Sequence, residues 1–195
     1  MGVRRALLLL LAAALFAPAA HVWGRTGHAY IDTVQFRRGT RSDLLVSFRV
    51  QRAFDDRVVD TLDAGLPVRF TYQLRVLRSR DVLSDVVVKD VHFDRTLVKD
   101  NLKDRYRVEP ERGRQGQDVA SLAEAVEAMT RVEGVRLLPL DALGRSGPLV
   151  LKIKAKLQKF QLPFHLHYLF AFVSYWDVET DWYVVELPAN ADAVP

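Results

Sequence analysis

Residues 149–157 read LVLKIKAKL, and residues 68–76 read VRFTYQLRV. In both stretches hydrophobic residues occupy every second position, and polar or basic residues occupy the positions between them. Because successive side chains of a β-strand point to opposite faces, this period of two predicts strands with one face in the core and one in water. Such half-solvated strands are typical of antiparallel sheets. These two stretches therefore decide the fold class.

The same alternation recurs in five further segments. It is regular over residues 44–51 and 176–184. It is weaker over residues 30–36, 82–93 and 103–108. Within the 82–93 run the parity slips at the three consecutive valines 86–88. This slip indicates either a β-bulge or a strand that is buried on both faces.

Two segments instead show the period of an amphipathic helix, residues 55–66 and residues 121–132. In the second, Ser121 and Glu124 have the spacing of a capping box, and Gly134 follows the last turn. The predicted buried stripe of this helix consists of Leu122, Ala125, Val126 and Met129. The sequence therefore predicts an α+β fold, predominantly antiparallel β-sheet or β-sandwich, with two amphipathic helices packed on it.

The N-terminus has the pattern of a secretory signal peptide. Arg4 and Arg5 precede an uninterrupted apolar run at 6–16, and the small residues at 17–20 suit a cleavage site. The run is short for a transmembrane span of about 20 residues, so an uncleaved anchor is the alternative. We expect cleavage near residue 19–20 and export to the periplasm or cell envelope. The expected layout is a signal peptide at 1–19, a flexible N-terminal arm at 20–29, a single β-rich domain at 30–188 and a disordered tail at 189–195.

The composition excludes several classes of protein. The 195 residues contain no cysteine, which excludes a disulfide scaffold, a thiolate metal site and a cysteine nucleophile. The formal net charge is +4, and removing Arg4 and Arg5 leaves 26 of the 28 basic residues against 24 acidic ones. So small an excess of positive charge gives no support for nucleic-acid binding.

The chain contains no established catalytic or cofactor motif. HExxH, the nucleophile elbow and the phosphate-binding glycine loop are all absent from the sequence. His165 and His167 share the two-residue step of a strand face, a spacing that metal sites use. Their neighbours are apolar or aromatic, however, and no third ligand lies close in sequence. We therefore expect no catalytic residue, no cofactor and no metal ion.

A row of three lysines and a row of three carboxylates follow the same two-residue step. The rows consist of Lys152, Lys154 and Lys156, and of Asp177, Glu179 and Asp181. The carboxylates alone could form a site for a hard cation. If the two strands pair antiparallel, the rows instead face each other as a ladder of ion pairs, each worth about 0.2–1 kcal/mol. We prefer the ladder, because it accounts for both rows with one assumption.

The segment between these rows is basic and aromatic. Residues 142–176 contain no acidic residue, and they combine five positive charges with many aromatic side chains. The favoured interpretation is a strand or short helix that closes the core. The alternative is an exposed surface over 145–176 that binds an anionic membrane or a protein partner. The residues of this candidate interaction surface are Lys152, Lys154, Lys156, Lys159, Phe164, His165, His167, Tyr168 and Phe170.

Five stretches, taken in order, resemble a bacterial exported family catalogued as domain of unknown function 4390. They are LLVSFRV at 44–50, VVDTLDAGLPVRFTYQLRVLRSR at 58–80, SLAEAVEAMTRVEGVRLLPL at 121–140, LKIKAKLQKFQLPFHLHYLF at 151–170 and WDVETDWYVVEL at 176–187. The resemblance covers residues 30–188, and it implies an exported protein without an established activity or catalytic residues. It also implies an accessory of envelope signalling, with a membrane histidine kinase as the candidate partner.

Three functions follow, in order of preference. The first is an exported, non-catalytic interaction module of the bacterial cell envelope, with an envelope protein as its partner. The second is a lipid- or membrane-surface-binding module that uses the stretch 145–176 on an anionic lipid surface. The third is an enzyme whose site is assembled from residues distant in sequence.

Overall fold

The computed structural model describes residues 28–79, 84–110, 115–144, 147–158 and 178–195. The predicted signal peptide at 1–19 and most of the predicted arm at 20–29 lie outside these residues. The described strands are β1 (Tyr30–Arg38), β2 (Asp43–Gln51), β3 (Val68–Arg78), β4 (Val86–Asp100), β5 (Arg105–Pro110), β6 (Gln117–Val119), β7 (Arg131–Pro139), β8 (Leu149–Leu157) and β9 (Tyr183–Glu186). The described helices are α1 (Asp56–Asp63) and α2 (Leu122–Thr130), with short 3-10 helices at Leu140–Ala142 and Ala191–Ala193.

The strands form two antiparallel sheets that share one core. The small sheet has the order β1-β2-β7, and the large sheet has the order β6-β5-β4-β3-β8-β9. The ring of Phe48 on β2 lies 6.2 Å from the ring of Tyr72 on β3, so the two sheets meet there. The largest fully buried side chains come from both sheets and both helices: Tyr72, Phe70, Leu44, Leu62, Leu74, Leu97, Met129, Leu137, Leu151, Ile153, Val46 and Val58. This arrangement confirms the predicted α+β fold.

The pairing of β3 with β8 follows the predicted alternation. Tyr72 lies opposite Ala155, and both are buried. The next pair, Gln73 and Lys154, points to the other side of the sheet and is only half-buried. The two strands therefore present a hydrophobic inner face and a polar outer face, and the outer face carries the candidate site.

The parity slip in β4 is a β-bulge. Val76 pairs with Lys89 and Leu77 pairs with Val87, which leaves Val88 as the extra residue on β4. The valines at 86, 87 and 88 are 37%, 53% and 39% exposed. The predicted bulge is confirmed, and the alternative of a strand buried on both faces is wrong.

Two strands, β9 and β7, differ from what the sequence pattern predicts. The alternation extends over 176–184, but β9 covers only Tyr183–Glu186, and Glu179 forms an isolated bridge with Lys156. β7, which the sequence pattern does not predict, begins directly after α2, and Gly134 lies within it at φ +64°. Irregular register against β2 interrupts the period of two that would otherwise reveal β7.

Side-chain caps start both helices. The Asp55 carboxylate accepts a hydrogen bond from the Val58 backbone N–H at 3.0 Å. At α2, the Ser121 hydroxyl accepts from the Glu124 backbone N–H at 3.2 Å, and the Glu124 carboxylate accepts from the Ala120 backbone N–H at 3.1 Å. The predicted capping pair is therefore formed, with the glutamate reaching one residue beyond the cap itself.

The buried face of α2 is narrower than the predicted stripe. Ala125 and Met129 are fully buried. Leu122 and Val126 are only half-buried, so the prediction that Val126 lies in the core is wrong. The helix lies with its Ala125 and Met129 side towards the core, which leaves Val126 at the rim of the contact.

The C-terminal end of α2 is fixed to the large sheet by two side chains. The hydroxyl of Tyr72 on β3 donates a hydrogen bond to the carbonyl oxygen of Met129. Arg95 on β4 donates to the carbonyl oxygens of Ala128 and Arg131, both at 2.7 Å. The last carbonyl groups of a helix have no partner within the helix, so these donors satisfy groups that would otherwise cost free energy.

The C-terminal residues 189–195 differ from the predicted disordered tail. The Asn190 side chain caps a 3-10 turn by accepting from the Ala193 backbone N–H at 3.0 Å. The Arg38 backbone N–H donates to the Pro195 carbonyl at 2.9 Å, and Val194 is 5% exposed. The chain end is therefore packed beside β1, because burial of Val194 and these hydrogen bonds offset the entropy of ordering it.

Candidate functional site

A groove lies on the outer face of the large sheet, where β3 pairs with β8. It has a volume of about 870 Å³ and is lined by Pro67, Arg69, Thr71, Gln73, Thr96, Lys154, Lys156, Gln158, Glu179 and Trp182. We call it the basic groove. Its floor consists of the outward-facing side chains of two paired strands, with Thr71 opposite Lys156 and Gln73 opposite Lys154.

Glu179 joins two members of the lysine row. Its carboxylate contacts the Nζ atom of Lys154, and it contacts the Nζ atom of Lys156 at 2.7 Å. The hydrogen bond from Lys154, followed by that from Lys156, holds the pKa of Glu179 below its usual range. The predicted ladder is thus confirmed for this one carboxylate.

The rest of the predicted ladder is less regular. Lys152 lies opposite Val184 on β9 instead of a carboxylate. Asp181 is exposed and forms no ion pair with any described residue, and Asp177 lies outside the described residues. Because β9 is short and joined to the Glu179 bridge by an irregular segment, the two rows do not keep one common register.

Trp182 lies between two cations on the same face. The guanidinium carbon of Arg75 is 5.5 Å from the centroid of the indole, and the Nζ atom of Lys154 is 5.4 Å from it. These distances fit cation–π attraction. Arg75 is also paired with Asp90, with 3.0 Å between Nε and Oδ2. The indole is therefore held in a defined position at the wall of the groove.

A chain of hydrogen bonds crosses the floor of the groove. The Gln158 side-chain amide donates to the Thr71 hydroxyl at 2.6 Å, and that hydroxyl donates to the Asp94 carboxylate at 2.7 Å. The Thr71 side chain is thereby fixed between neighbouring strands. The floor is a pre-arranged polar surface, and little side-chain entropy would be lost when a ligand covers it.

Two cations of this face have no carboxylate partner in the described part of the chain. Arg69 donates to the Thr96 hydroxyl at 3.2 Å but makes no ion pair. Lys152 lies opposite Arg75 on β3, so its nearest cross-strand neighbour there is another cation. These two side chains give the face an excess of positive charge that is available to an anionic ligand.

Three of the nine predicted surface residues lie on this face, namely Lys152, Lys154 and Lys156. The other six, Lys159, Phe164, His165, His167, Tyr168 and Phe170, lie outside the described residues. Trp182, Arg69 and Gln73 line the groove as well, although the sequence did not mark them as candidates. For Arg69 and Gln73 the signal was present in the alternation of residues 68–76, whose outward positions are the polar ones.

The described residues contain neither a metal-binding cluster nor a membrane-spanning helix. No group of three or more His, Asp or Glu side chains among the described residues could hold a metal ion. No described helix is both long enough and apolar enough to cross a membrane.

The ion pairs of Glu179 predict a pH-dependent contribution to stability. Because its pKa is lowered in the folded state, the folded protein binds fewer protons than the unfolded chain as the pH falls. The stabilisation is present above the ordinary glutamate pKa of 4.5 and is lost as the pH falls through the lowered value. Glu179→Gln should lower the free energy of unfolding at pH 7 by up to about 1 kcal/mol, and by less near pH 3.

Urea unfolding of Glu179→Gln at the two pH values measures this difference, with Asp181→Asn as the matched control. Lys154→Glu, which places like charges side by side, should also lower the stability modestly, and added salt should recover part of the loss. A Glu179→Gln effect that does not depend on pH would show that the carboxylate acts through packing instead of charge.

Comparison with known proteins gives one match. The model of the family described as domain of unknown function 4390 matches residues 27–186. No curated protein and no solved structure matches the chain. The matched residues contain both sheets, both α-helices and the whole basic groove. The chain belongs to the family of domain of unknown function 4390.

Proposed function

We propose that this chain is an exported, non-catalytic interaction module of the bacterial cell envelope, and that the basic groove binds an acidic segment of a protein partner. The observation that carries the proposal is the excess of positive charge on this face: among the described residues, Arg69 in the groove and Lys152, two residues before Lys154 on β8, have no carboxylate partner. A membrane histidine kinase remains the candidate partner.

The polar groups of the groove suit recognition of an extended acidic segment. Hydroxyl and amide groups alternate with cations among its lining residues. Hydrogen bonds to the backbone of a ligand fix its position, and charges of opposite sign favour the correct partner over wrong ones. Trp182 adds a large hydrophobic surface, and tryptophan is among the residues that contribute most to protein interfaces.

The same groups argue against catalysis in the groove. Glu179 is the one carboxylate among the described lining residues, and two lysines hold its pKa below its usual range. A general acid or base works best when its pKa lies near the working pH. Its lowered pKa instead keeps the Glu179 carboxylate ionised at neutral pH, where it contacts two lysines.

The described groove gives the lipid-binding alternative less support, and the aromatic residues on which that alternative rests lie outside the described residues. A membrane-surface module needs cations and aromatic side chains that project from an open face into the headgroup layer. Trp182 is only half-exposed and lies between Arg75 and Lys154, so it does not project. Lys154 also forms an ion pair with Glu179.

A photo-crosslinking amino acid at Gln73, in the middle of the groove, tests the proposal in living cells. The matched control carries the same amino acid at Asp60, which is exposed on α1. We expect a protein adduct of defined mass, which mass spectrometry assigns to the envelope, from position 73 alone. Adducts with phospholipid at position 73, together with sedimentation of the protein with anionic vesicles, would instead support the lipid-binding alternative.

A further inference from the structure

An open strand edge of the described structure lies on β4. This strand pairs with β3 along its whole first part, from Val86 onwards. On its other side it pairs with β5, but only from Arg95 to Asp100. Residues 86–94 therefore have a strand on one side only within the described parts of the chain. Unpaired backbone groups of this kind are a ready template for another strand.

One part of this edge is regular enough to accept a strand. The bulge at Val88 disturbs its beginning, and bulges commonly protect strand edges from unwanted pairing. From Lys89 to Asp94, however, the pairing with β3 has no register shift. Six consecutive residues with undisturbed geometry are comparable in length to an ordinary strand of about 5–6 residues.

The inner side of this stretch carries the exposed Lys89 and two incompletely buried hydrophobic residues. Val91 and Phe93 pack against the core but are only half-buried. Further along β4, the same inner face is covered by Tyr106 and Val108 of β5, and Leu97 is there fully buried. A strand added beside β4, in line with β5, would place its own side chains next to Val91 and Phe93 in the same way.

The outer side of this stretch is acidic. Asp90 and Asp94 point outwards with the exposed His92 between them, as their partners Arg75 and Thr71 on β3 show. Directly opposed charges of opposite sign stabilise a strand pair, and like charges destabilise it. An added strand should therefore carry basic residues at the positions opposite Asp90 and Asp94.

We infer that the open edge of β4 over residues 89–94 accepts a strand of a partner protein in which hydrophobic residues alternate with basic ones. Main-chain hydrogen bonds supply the affinity in this mode of recognition, and the alternate side chains supply the specificity. A second copy of this chain is a poor occupant. In a symmetric antiparallel pair the two acidic rows would lie on the same face and oppose each other.

A short capped peptide of alternating valine and lysine is the probe that tests this inference. Hydrogen exchange measured by NMR on the whole mature chain reports where it binds. We expect alternate backbone amides between Lys89 and Asp94 to become at least about tenfold more protected, because the added strand accepts their hydrogen bonds. The same peptide with glutamate in place of lysine should bind more weakly.

Variants distinguish binding of the peptide at the β4 edge from binding of a basic peptide elsewhere on the protein. Asp90→Asn should weaken binding of the lysine peptide several-fold, and Asp60→Asn on α1 serves as the matched control that leaves binding unchanged. Absence of binding at peptide concentrations of about 1 mM would overturn the inference. Protection of amides on β9 or β1 instead of β4 would overturn it as well. The same holds for concentration-dependent dimerisation, seen in analytical ultracentrifugation, that protects the β4 amides without peptide.

Discussion

Met129→Ala is expected to lower the free energy of unfolding by about 2–5 kcal/mol. Met129 is fully buried at the end of α2, where it belongs to the core shared by both sheets. Truncation to alanine removes the transfer free energy of the buried thioether and leaves a cavity that tightly packed neighbours fill only partly. Urea denaturation followed by circular dichroism measures the change.

Val126→Ala is the matched control on the same helix. Its side chain is only half-buried, so the truncation loses less hydrophobic contact, and alanine has the higher helix propensity. We expect a change below about 1 kcal/mol. Equal losses in the two variants would contradict the orientation of α2, because they would require both side chains to be equally buried.

Tyr72→Phe is expected to lower the free energy of unfolding by about 1–3 kcal/mol. The Tyr72 hydroxyl is fully buried and donates to the Met129 carbonyl at the end of α2. Burial raises the pKa of this phenol above its usual range, so the hydroxyl keeps its proton and remains a donor wherever the protein is folded. Phenylalanine keeps the ring but leaves the carbonyl without that partner.

Tyr30→Phe provides the reference for the loss of a hydroxyl. Tyr30 is 47% exposed, so water replaces any lost contact, and the change should stay within about 0.5 kcal/mol. Thermal unfolding of the two variants and the parent protein decides the comparison. If Tyr72→Phe were as stable as the parent, the anchoring of α2 by β3 would have no energetic importance.

The sequence predicts the elements whose pattern is set by burial on one face. Residues 68–76 and 149–157 alternate without interruption, and they form paired strands in the centre of the large sheet. The helix cap at Ser121 is likewise local, because the groups that form it are three residues apart. Such features depend on neighbouring residues and can be read without knowing the rest of the fold.

The elements that the pattern misses are those set by distant contacts. β7 follows α2 without a loop, and irregular register against β2 breaks its alternation. The C-terminal turn is ordered because Arg38, which is far away in sequence, donates hydrogen bonds to the carbonyl oxygens of Ala191 and Pro195. No local signal reports a partner of this kind, so a chain end without a periodic pattern is predicted to be disordered.

The candidate site was only partly visible for the same reason. The lysine row is apparent from the two-residue step, but its neighbours on the face come from β3 and from the segment before β9. Arg69, Gln73 and Trp182 approach the lysines only once the strands pair. Strand order is a tertiary property that a single sequence does not specify.

Charge reversal tests whether two cations of the outer face bind the protein partner: Arg69 in the basic groove, and Lys152, two residues before Lys154 on β8. The yield of the protein adduct from the crosslinker at Gln73 is compared between the parent and the double variant Arg69→Glu, Lys152→Glu. The control, Arg41→Glu with Arg105→Glu, changes the net charge equally at exposed sites away from the groove. We expect a loss of about tenfold, equivalent to about 1.4 kcal/mol, in the double variant with Arg69→Glu and Lys152→Glu alone. An undiminished adduct in that variant, with its fold intact by circular dichroism, would show that these cations do not bind the partner.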